Sequence, residues 1–448
     1  MSNSRSVALD LLNRVFNDGA YANLLIGSLS TAANLDARDA SLVQELGFGT
    51  IRQKQLLDAI IQRASGRSLS EIDATTLPIL ELGAYQLLFT RIPNHAAINE
   101  TVDLAKQSTR PKSSGFVNAV LRKVINHDLN TWVEICSAGK TPAEVLSLKY
   151  SHPDWIVQAL KLALASDSKS EQLDALLAAN NEPAEVNLVA LPGRATDEDT
   201  QDLPRLEVSP HGFALSAGDP GKLNGVRSGR LRVQDAGSQL VAMALAEAKP
   251  IVKGEQWLDM CAGPGGKAAL LAAFAERSGA VLVANEVSPH RAKLVSESLS
   301  DSGFEVKVSV QDGRTLHGSY DRILIDAPCT GLGALRRRPE ARWRKSPSDL
   351  TELVSLQKEL LEHAWTLLKP GGVLVYATCS PHPAETLGVI EPFIRTKGDN
   401  VTLVNCNELL NRVVPKLQLP EARRTTQLWT QVHGTDAMFL SVLEKPLT

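Results

Sequence analysis

The stretch Gln256-Trp257-Leu258-Asp259-Met260-Cys261-Ala262-Gly263-Pro264-Gly265-Gly266-Lys267, followed by AALLAAFAE (268–276), reads as a strand, a glycine turn and a helix. A short apolar run ends on an acid, and apolar residues then resume at helical spacing beyond the turn. The pattern repeats outward along the chain. AVLVANE (280–286), VKVSV (306–310), YDRILIDAP (320–328) and GVLVYATCS (372–380) are further short, almost wholly apolar runs. Helical stretches such as LTELVSLQKELLEHAWTLL (350–368) lie between several of them, and AMFLSVLEK (437–445) reads as a last strand. Strands that are apolar on both faces and alternate with helices predict an α/β core, a doubly wound parallel sheet covered on both sides.

Upstream the character changes. Residues 1–128 predict an all-α bundle, from VALDLLNRVF (7–16), LVQELGFGTIRQKQLLDAII (42–61), LPILELGAYQLLF (77–89) and INETVDLAKQ (98–107). Gly47, Gly49 and Gly83 interrupt these helices, and close helix packing is the expected reason. A mixed connector follows, and VNLVALPG (186–193), GFALS (212–216) and LRVQD (231–235) predict a small α/β region with turn-rich links. The expected division is 1–130, 131–232 and 233–448.

Composition limits the functional classes. The chain has 448 residues and a net charge of −3, so bulk charge does not make it a nucleic-acid binder. Residues 1–128 hold 13 Lys/Arg against 12 Asp/Glu, which is nearly neutral. The five cysteines, Cys136, Cys261, Cys329, Cys379 and Cys406, are far apart with no CxxC pair. They suit neither a disulfide framework nor a structural zinc site, and the scattered histidines add no metal-ligand spacing, so no metal is expected. No apolar run is long enough to span a bilayer, and the N-terminus reads as an amphipathic helix, so a cytoplasmic protein is expected.

Ligands of doubly wound sheets bind at the carboxyl ends of the strands. Three such ends carry polar groups: Asp259 with its glycine turn, Glu286, and Asp312 after the third strand. The turn matches neither the GxxxxGK[ST] nor the GxGxxG spacing, so a dinucleotide, a phosphate and S-adenosylmethionine all stay open. Glu286 is placed to accept ribose hydroxyls and Asp312 to meet an adenine edge. Two thiols reach the same edge, in Asp326-Ala327-Pro328-Cys329-Thr330-Gly331 and in Thr378-Cys379-Ser380-Pro381. Buried, inert cysteine is the ordinary case and fits Cys136, Cys261 and Cys406. A thiol pair beside a ligand turn suits covalent catalysis instead.

DMCAGPGGK, DAPCTG and YATCS resemble the signature motifs of the NOL1/NOP2/Sun family of RNA 5-methylcytosine methyltransferases, over roughly residues 150–448. The resemblance implies a Rossmann-like methyltransferase core with S-adenosylmethionine as cofactor. It makes Cys379 the nucleophile, Cys329 the group that assists product release, and Asp326 the acid beside the target ring, with Lys267 in the same site. It implies a cofactor site of Asp259, Cys261, Ala262, Gly263, Pro264, Gly265, Gly266, Lys267, Glu286, Arg291, Asp312 and Asp326. LLNRVF and NAVLRKV resemble the NusB-like RNA-binding domain, a fusion found in Sun-type members that act on 16S ribosomal RNA. Three departures stand out: Ala262-Gly263 where the family has Ala-Ala, Ala268 where it has Thr, and Glu385-Thr386-Leu387 where it often has Glu-Asn-Glu.

The segment from Arg336 to Lys345 follows DAPCTG and carries six basic residues and one acid. It is expected to overhang the site and meet RNA through Arg336, Arg337, Arg338, Arg342 and Arg344, with Trp343 stacking on a base. The expected enzyme is a monomer acting on 16S rRNA, free or partly assembled. The competing readings are the same chemistry on transfer RNA or 23S rRNA, and a non-enzymatic NusB-type RNA-binding factor; intact Cys329, Cys379 and Asp326 argue against the latter.

Overall fold

The computed structural model describes residues 4–108, 113–216 and 218–447. The chain divides into two compact units. The first comprises residues 1–161, 171–183 and 335–344, and the second 162–170, 184–334 and 345–448.

The first unit is helical. Its longest helix, Ala37–Ser65, starts where the Asp36 side chain accepts from the Asp39 N–H, and stops at Gly66, whose φ of 72° suits glycine. Ser4–Asn17, Leu77–Phe89, Asn94–Ser108 and Ser113–Val124 pack with it around Leu11, Leu12, Leu46, Ile51, Leu57, Ile60, Leu80 and Leu121. The three helix glycines are close-packing sites, as expected. A Cβ on Gly49 would sit 2.0 Å from the Tyr85 ring, one on Gly47 2.6 Å from Leu11, and one on Gly83 2.9 Å from Leu121 and Thr101. The expected mixed connector is helical here: Asp128 caps Leu129–Ser137, and Thr141 with Glu144 forms a capping box for Pro142–Tyr150.

The basic segment is part of this helical unit, which corrects the expectation of an overhanging loop. Arg342 is fully buried and donates to the carbonyls of Arg52, Ser151 and Asn180 and to Asn181 Oδ1. Trp343 packs on the helical core and its Nε1 donates to the Ile51 carbonyl at 2.8 Å. Arg344 donates to the carbonyls of Val15 and Ala20. Backbone carbonyls accept from a guanidinium or an indole N–H as phosphates do, so these three side chains are committed to protein. Arg336 is buried, Arg337 half-buried and Arg338 exposed.

The second unit holds two sheets. Strands β1 (Val186–Ala190), β2 (Gly212–Leu215) and β3 (Leu231–Val233) form a small antiparallel sheet in the order β2-β1-β3. The large sheet contains β4 (Gln256–Asp259), β5 (Val281–Asn285), β6 (Lys307–Ser309), β7 (Tyr320–Asp326), β8 (Leu368–Thr378), β9 (Thr402–Val404), β10 (Thr426–Gln427) and β11 (Phe439–Glu444). Its order is β10-β11-β8-β7-β4-β5-β6, with β9 also on β11. The five strands from β8 to β6 run parallel, while β11 is antiparallel to β8, β9 and β10. The sheet is therefore mixed. The chain runs outward from β4 to β6, then returns to the other side of β4 as β7, so the switch point lies between β4 and β7. No helix among the described residues is long and apolar enough to cross a membrane.

Gly49→Ala is expected to destabilise the helical unit by roughly 1–3 kcal/mol, because the methyl group must displace the Tyr85 ring. Urea denaturation of both proteins checks this; an unchanged midpoint would contradict the packing account.

Candidate active site

Asp259 and Asp326 end the two strands that flank the switch point. Lys267, in the first turn of the helix Gly266–Ser278, bridges across: its Nζ lies 2.8 Å from Asp326 Oδ2 and 3.1 Å from Ser238 Oγ. Burial alone would lower the lysine pKa, but the Asp326 carboxylate more than offsets this and the net shift is upward. Lys267 is therefore a cation in the resting site. Asp259 is fully buried, and among the described residues neither carboxylate oxygen has a partner at hydrogen-bond geometry. Burial first, and the nearby Asp326 charge second, push its carboxyl up to about 7.

The glycine turn is tied to the next strand end. Glu286 is buried, and its carboxylate accepts from the Gly263 N–H at 3.1 Å and the Ser288 N–H at 3.0 Å. Arg291 donates to the Gly263 carbonyl at 2.5 Å and lies 3.5 Å from Glu286 Oε2. A Cβ at Gly263 would fall 2.2 Å from Glu286 Oε2, so the Ala-to-Gly departure belongs to this close approach. The Gly263–Pro264 peptide is cis and Gly265 has φ 110°, which aims the turn into the helix. Ala262 is buried in the same turn. Gln234 is buried beside Gly266 with both amide atoms unpartnered. A helix N-terminus, a buried Glu286 and unsatisfied polar atoms on Asp259 and Gln234 suit a ligand with a carboxylate, an amine and a ribose, as S-adenosylmethionine has.

One expected cofactor residue, Asp312, is paired within the protein. Asp312 caps the Arg314 N–H and pairs with that guanidinium at 2.6 Å, which holds its carboxyl at about 2. Its carboxylate therefore faces Arg314. Cys261 lies in the turn, and burial among Asp259, Asp326 and Glu286 pushes its thiol far above the ordinary range. Cys406 is buried with its thiol pushed up to about 12, and Cys136 is buried and shifted the same way. These three thiols are inert at neutral pH.

The other two cysteines meet. Cys329 follows β7 and Cys379 follows β8, its parallel neighbour, and their Sγ atoms are 3.4 Å apart. Neither is fully buried. The hydrogen bond to Cys379, and then burial, push the Cys329 thiol well above its ordinary range. The two thiols share one hydrogen bond, in which either sulfur can donate. Thr330, Ser380 and Gln357 join Glu385 around the pair; the sequence assigns none of the four a role, and Glu385 enters it only as the acid of Glu385-Thr386-Leu387. Only the nearness of Thr330 and Ser380 to the two cysteines could have pointed to them.

A doubly wound sheet with a glycine turn at its switch point is built to hold a nucleotide-like ligand, and the relatives make it the site of an S-adenosylmethionine-dependent methyltransferase. Comparison with known proteins gives the family. Residues 246–444 match the 16S rRNA methyltransferase RsmB/F profile, and residues 2–126 match the NusB family. A Mycobacterium tuberculosis protein named as a methyltransferase is 43% identical over 99% of this chain and 96% of its own. The ribosomal RNA small subunit methyltransferase B of Erwinia tasmaniensis is 31% identical over 99% of both chains. The crystal structure of PH0851 superposes with a TM-score of 0.78 at 22% identity, covering 98% of this chain and 97% of that one. The chain belongs to the RsmB/F family of 16S ribosomal RNA methyltransferases.

The raised Asp259 carboxyl makes a pH prediction. Its folded value of about 7 exceeds the ordinary 3.8, so the native state holds a proton that the unfolded state loses. Stability from this group is present below about pH 4 and is lost as pH rises towards 7, at about 1.4 kcal/mol per unit. Asp259→Asn lacks that loss, so its urea midpoint relative to the wild-type protein is expected to rise between pH 5 and pH 8. Parallel pH profiles would contradict the assignment.

Proposed function

We propose that the chain transfers the methyl group of S-adenosylmethionine to carbon 5 of a cytosine in 16S ribosomal RNA, through a covalent adduct on Cys379. The observation that carries this reading is the 3.4 Å pair of thiols at the strand edge that also holds Lys267 and Asp326. Amino-nitrogen methylation needs no thiol, and carbon 5 does. That carbon is a poor nucleophile until a thiolate bonds to carbon 6 and pushes an electron pair onto it.

Asp259, Glu286, Arg291, Gln234 and the turn from Cys261 to Lys267 are the proposed cofactor site. S-adenosylmethionine bound there would supply an electrophilic methyl group to carbon 5, its methyl–sulfur bond breaking to leave a neutral thioether. Asp326 faces ring nitrogen 3 and Lys267 offsets the charge that builds on the ring during attack. Cys329 donates a hydrogen bond to the Cys379 thiolate before attack. Once Cys379 is a thioether, Cys329 has lost the partner that held its proton and releases that proton to solvent. Its thiolate then removes the proton from carbon 5, the double bond re-forms, and the bond from carbon 6 to Cys379 breaks. Two thiols account for both halves of the reaction.

The target base must leave its stack to reach a thiol at a strand edge, so a loop or junction of the RNA suits it best. Arg337 and Arg338 are the proposed phosphate contacts of the basic segment. The NusB-like helical unit is the proposed RNA-docking unit, spanning 1–130 in function, ahead of a linking region to 232 and the methyltransferase region from 233. The proposed enzyme is a cytoplasmic monomer.

Cys379→Ala is expected to abolish methyl transfer while cofactor binding persists. Cys329→Ala is expected to slow turnover by about 100-fold or more and to accumulate a protein–RNA complex stable to denaturant. Gel mobility under denaturing conditions, with labelled RNA, checks both. Turnover by Cys379→Ala near the wild-type level would remove it as nucleophile.

A further inference from the structure

We propose that Glu385 is a positioning residue for the two thiols: its carboxylate ties the loop carrying Cys329 to the loop carrying Cys379 and so sets their separation. The inference rests on the reading of Cys379 as nucleophile and Cys329 as release group.

Glu385 is fully buried, in the turn after β8. One carboxylate oxygen accepts from the Thr330 N–H at 2.8 Å and from Gln357 Nε2 at 3.1 Å. The other accepts from the Thr330 hydroxyl. The same Gln357 nitrogen donates to the Pro328 carbonyl at 2.9 Å. Both chain neighbours of Cys329 are therefore held from this carboxylate, Thr330 directly and Pro328 through Gln357. On the other side, the Thr330 and Ser380 hydroxyl oxygens are 3.0 Å apart, and Ser380 is the residue after Cys379. The Glu385 carbonyl accepts from the Tyr376 hydroxyl at 2.7 Å, which anchors the turn to β8 itself. The Gly333 N–H also donates to the Cys379 carbonyl at 2.9 Å, joining the same two loops by backbone.

The position suits a carboxylate. Three donors converge on its two oxygens. Glutamine offers one accepting oxygen and one NH2 group. With its oxygen on the two N–H donors, its NH2 meets the Thr330 hydroxyl, so that hydrogen bond reverses and the Thr330 proton must turn to Ser380. Glu385 stands next to the two thiols without reaching the reacting atoms, so its effect passes through Cys329. A buried carboxylate there also raises the Cys329 thiol, in the direction that keeps its proton. The family departure at Thr386-Leu387 leaves this first acid in place.

The test is a double-mutant cycle on the full-length protein, with turnover and the denaturant-stable protein–RNA complex as readouts. Glu385→Gln is expected to lower turnover by about 10-fold or more, at unchanged affinity for S-adenosylmethionine and with some covalent complex accumulating although Cys329 is present. In the Cys329→Ala background it is expected to add little, because the group it positions is gone. Thr330→Val, which removes only the hydroxyl, is expected to act in the same direction if Glu385→Gln fails to fold. Wild-type turnover in both variants, or effects of Glu385→Gln and Cys329→Ala that multiply, would overturn the proposal. Absence of a covalent complex in Cys329→Ala alone would instead overturn the two-thiol reading on which it rests.

Discussion

The site depends on one ion pair, Lys267 with Asp326, joining the helix after β4 to the end of β7. The two strands are parallel neighbours only because the chain crosses back over β4 at the switch point. Burying a lysine costs desolvation, and here the carboxylate at 2.8 Å reverses the sign of the resulting shift. The same cation meets the charge of Asp259, whose carboxyl is buried without a partner at hydrogen-bond geometry among the described residues. Removing Lys267 would leave two acids facing each other at the strand ends. The pair is therefore structural and electrostatic at once: it closes the switch point and keeps one positive charge at the strand ends, beside which the proposed target ring lies.

The thiols sit at the next strand boundary and depend on the same parallel pairing. β7 and β8 run in register to Asp326 and Ala377, which brings Cys329 and Cys379 out at one edge. Strand pairing alone would leave their separation loose, since each lies in a loop beyond its strand. The buried network around Glu385 and the backbone bond from Gly333 remove that freedom.

Much of this was legible in sequence, for identifiable reasons. Strands buried on both faces read as continuous apolar runs, and helix glycines read as close contacts, because both are local consequences of packing. The glycine turn and the two cysteine motifs sit at strand ends, where doubly wound sheets gather function. The direction of β11 was not legible: an apolar run looks the same parallel or antiparallel. Arg342, Trp343 and Arg344 look like a solvated basic loop, because local sequence does not reveal which distant carbonyls will accept from them; Ile51, Ser151 and Asn180 do. Asp312 was assigned by its place at a strand end, but Arg314 two residues on neutralises it. Glu385 reads in sequence only as one acid of a family motif, because its partners, Thr330 and Gln357, come from segments far apart in the chain.

The account turns on where the methyl group goes. The most direct measurement is transfer from labelled S-adenosylmethionine to 16S rRNA, 23S rRNA and transfer RNA in parallel, with the labelled nucleoside identified after digestion. The account predicts 5-methylcytosine in 16S rRNA alone. Label on an amino nitrogen or on a base other than cytosine would contradict the two-thiol mechanism, and 5-methylcytosine in another RNA would contradict the assigned substrate.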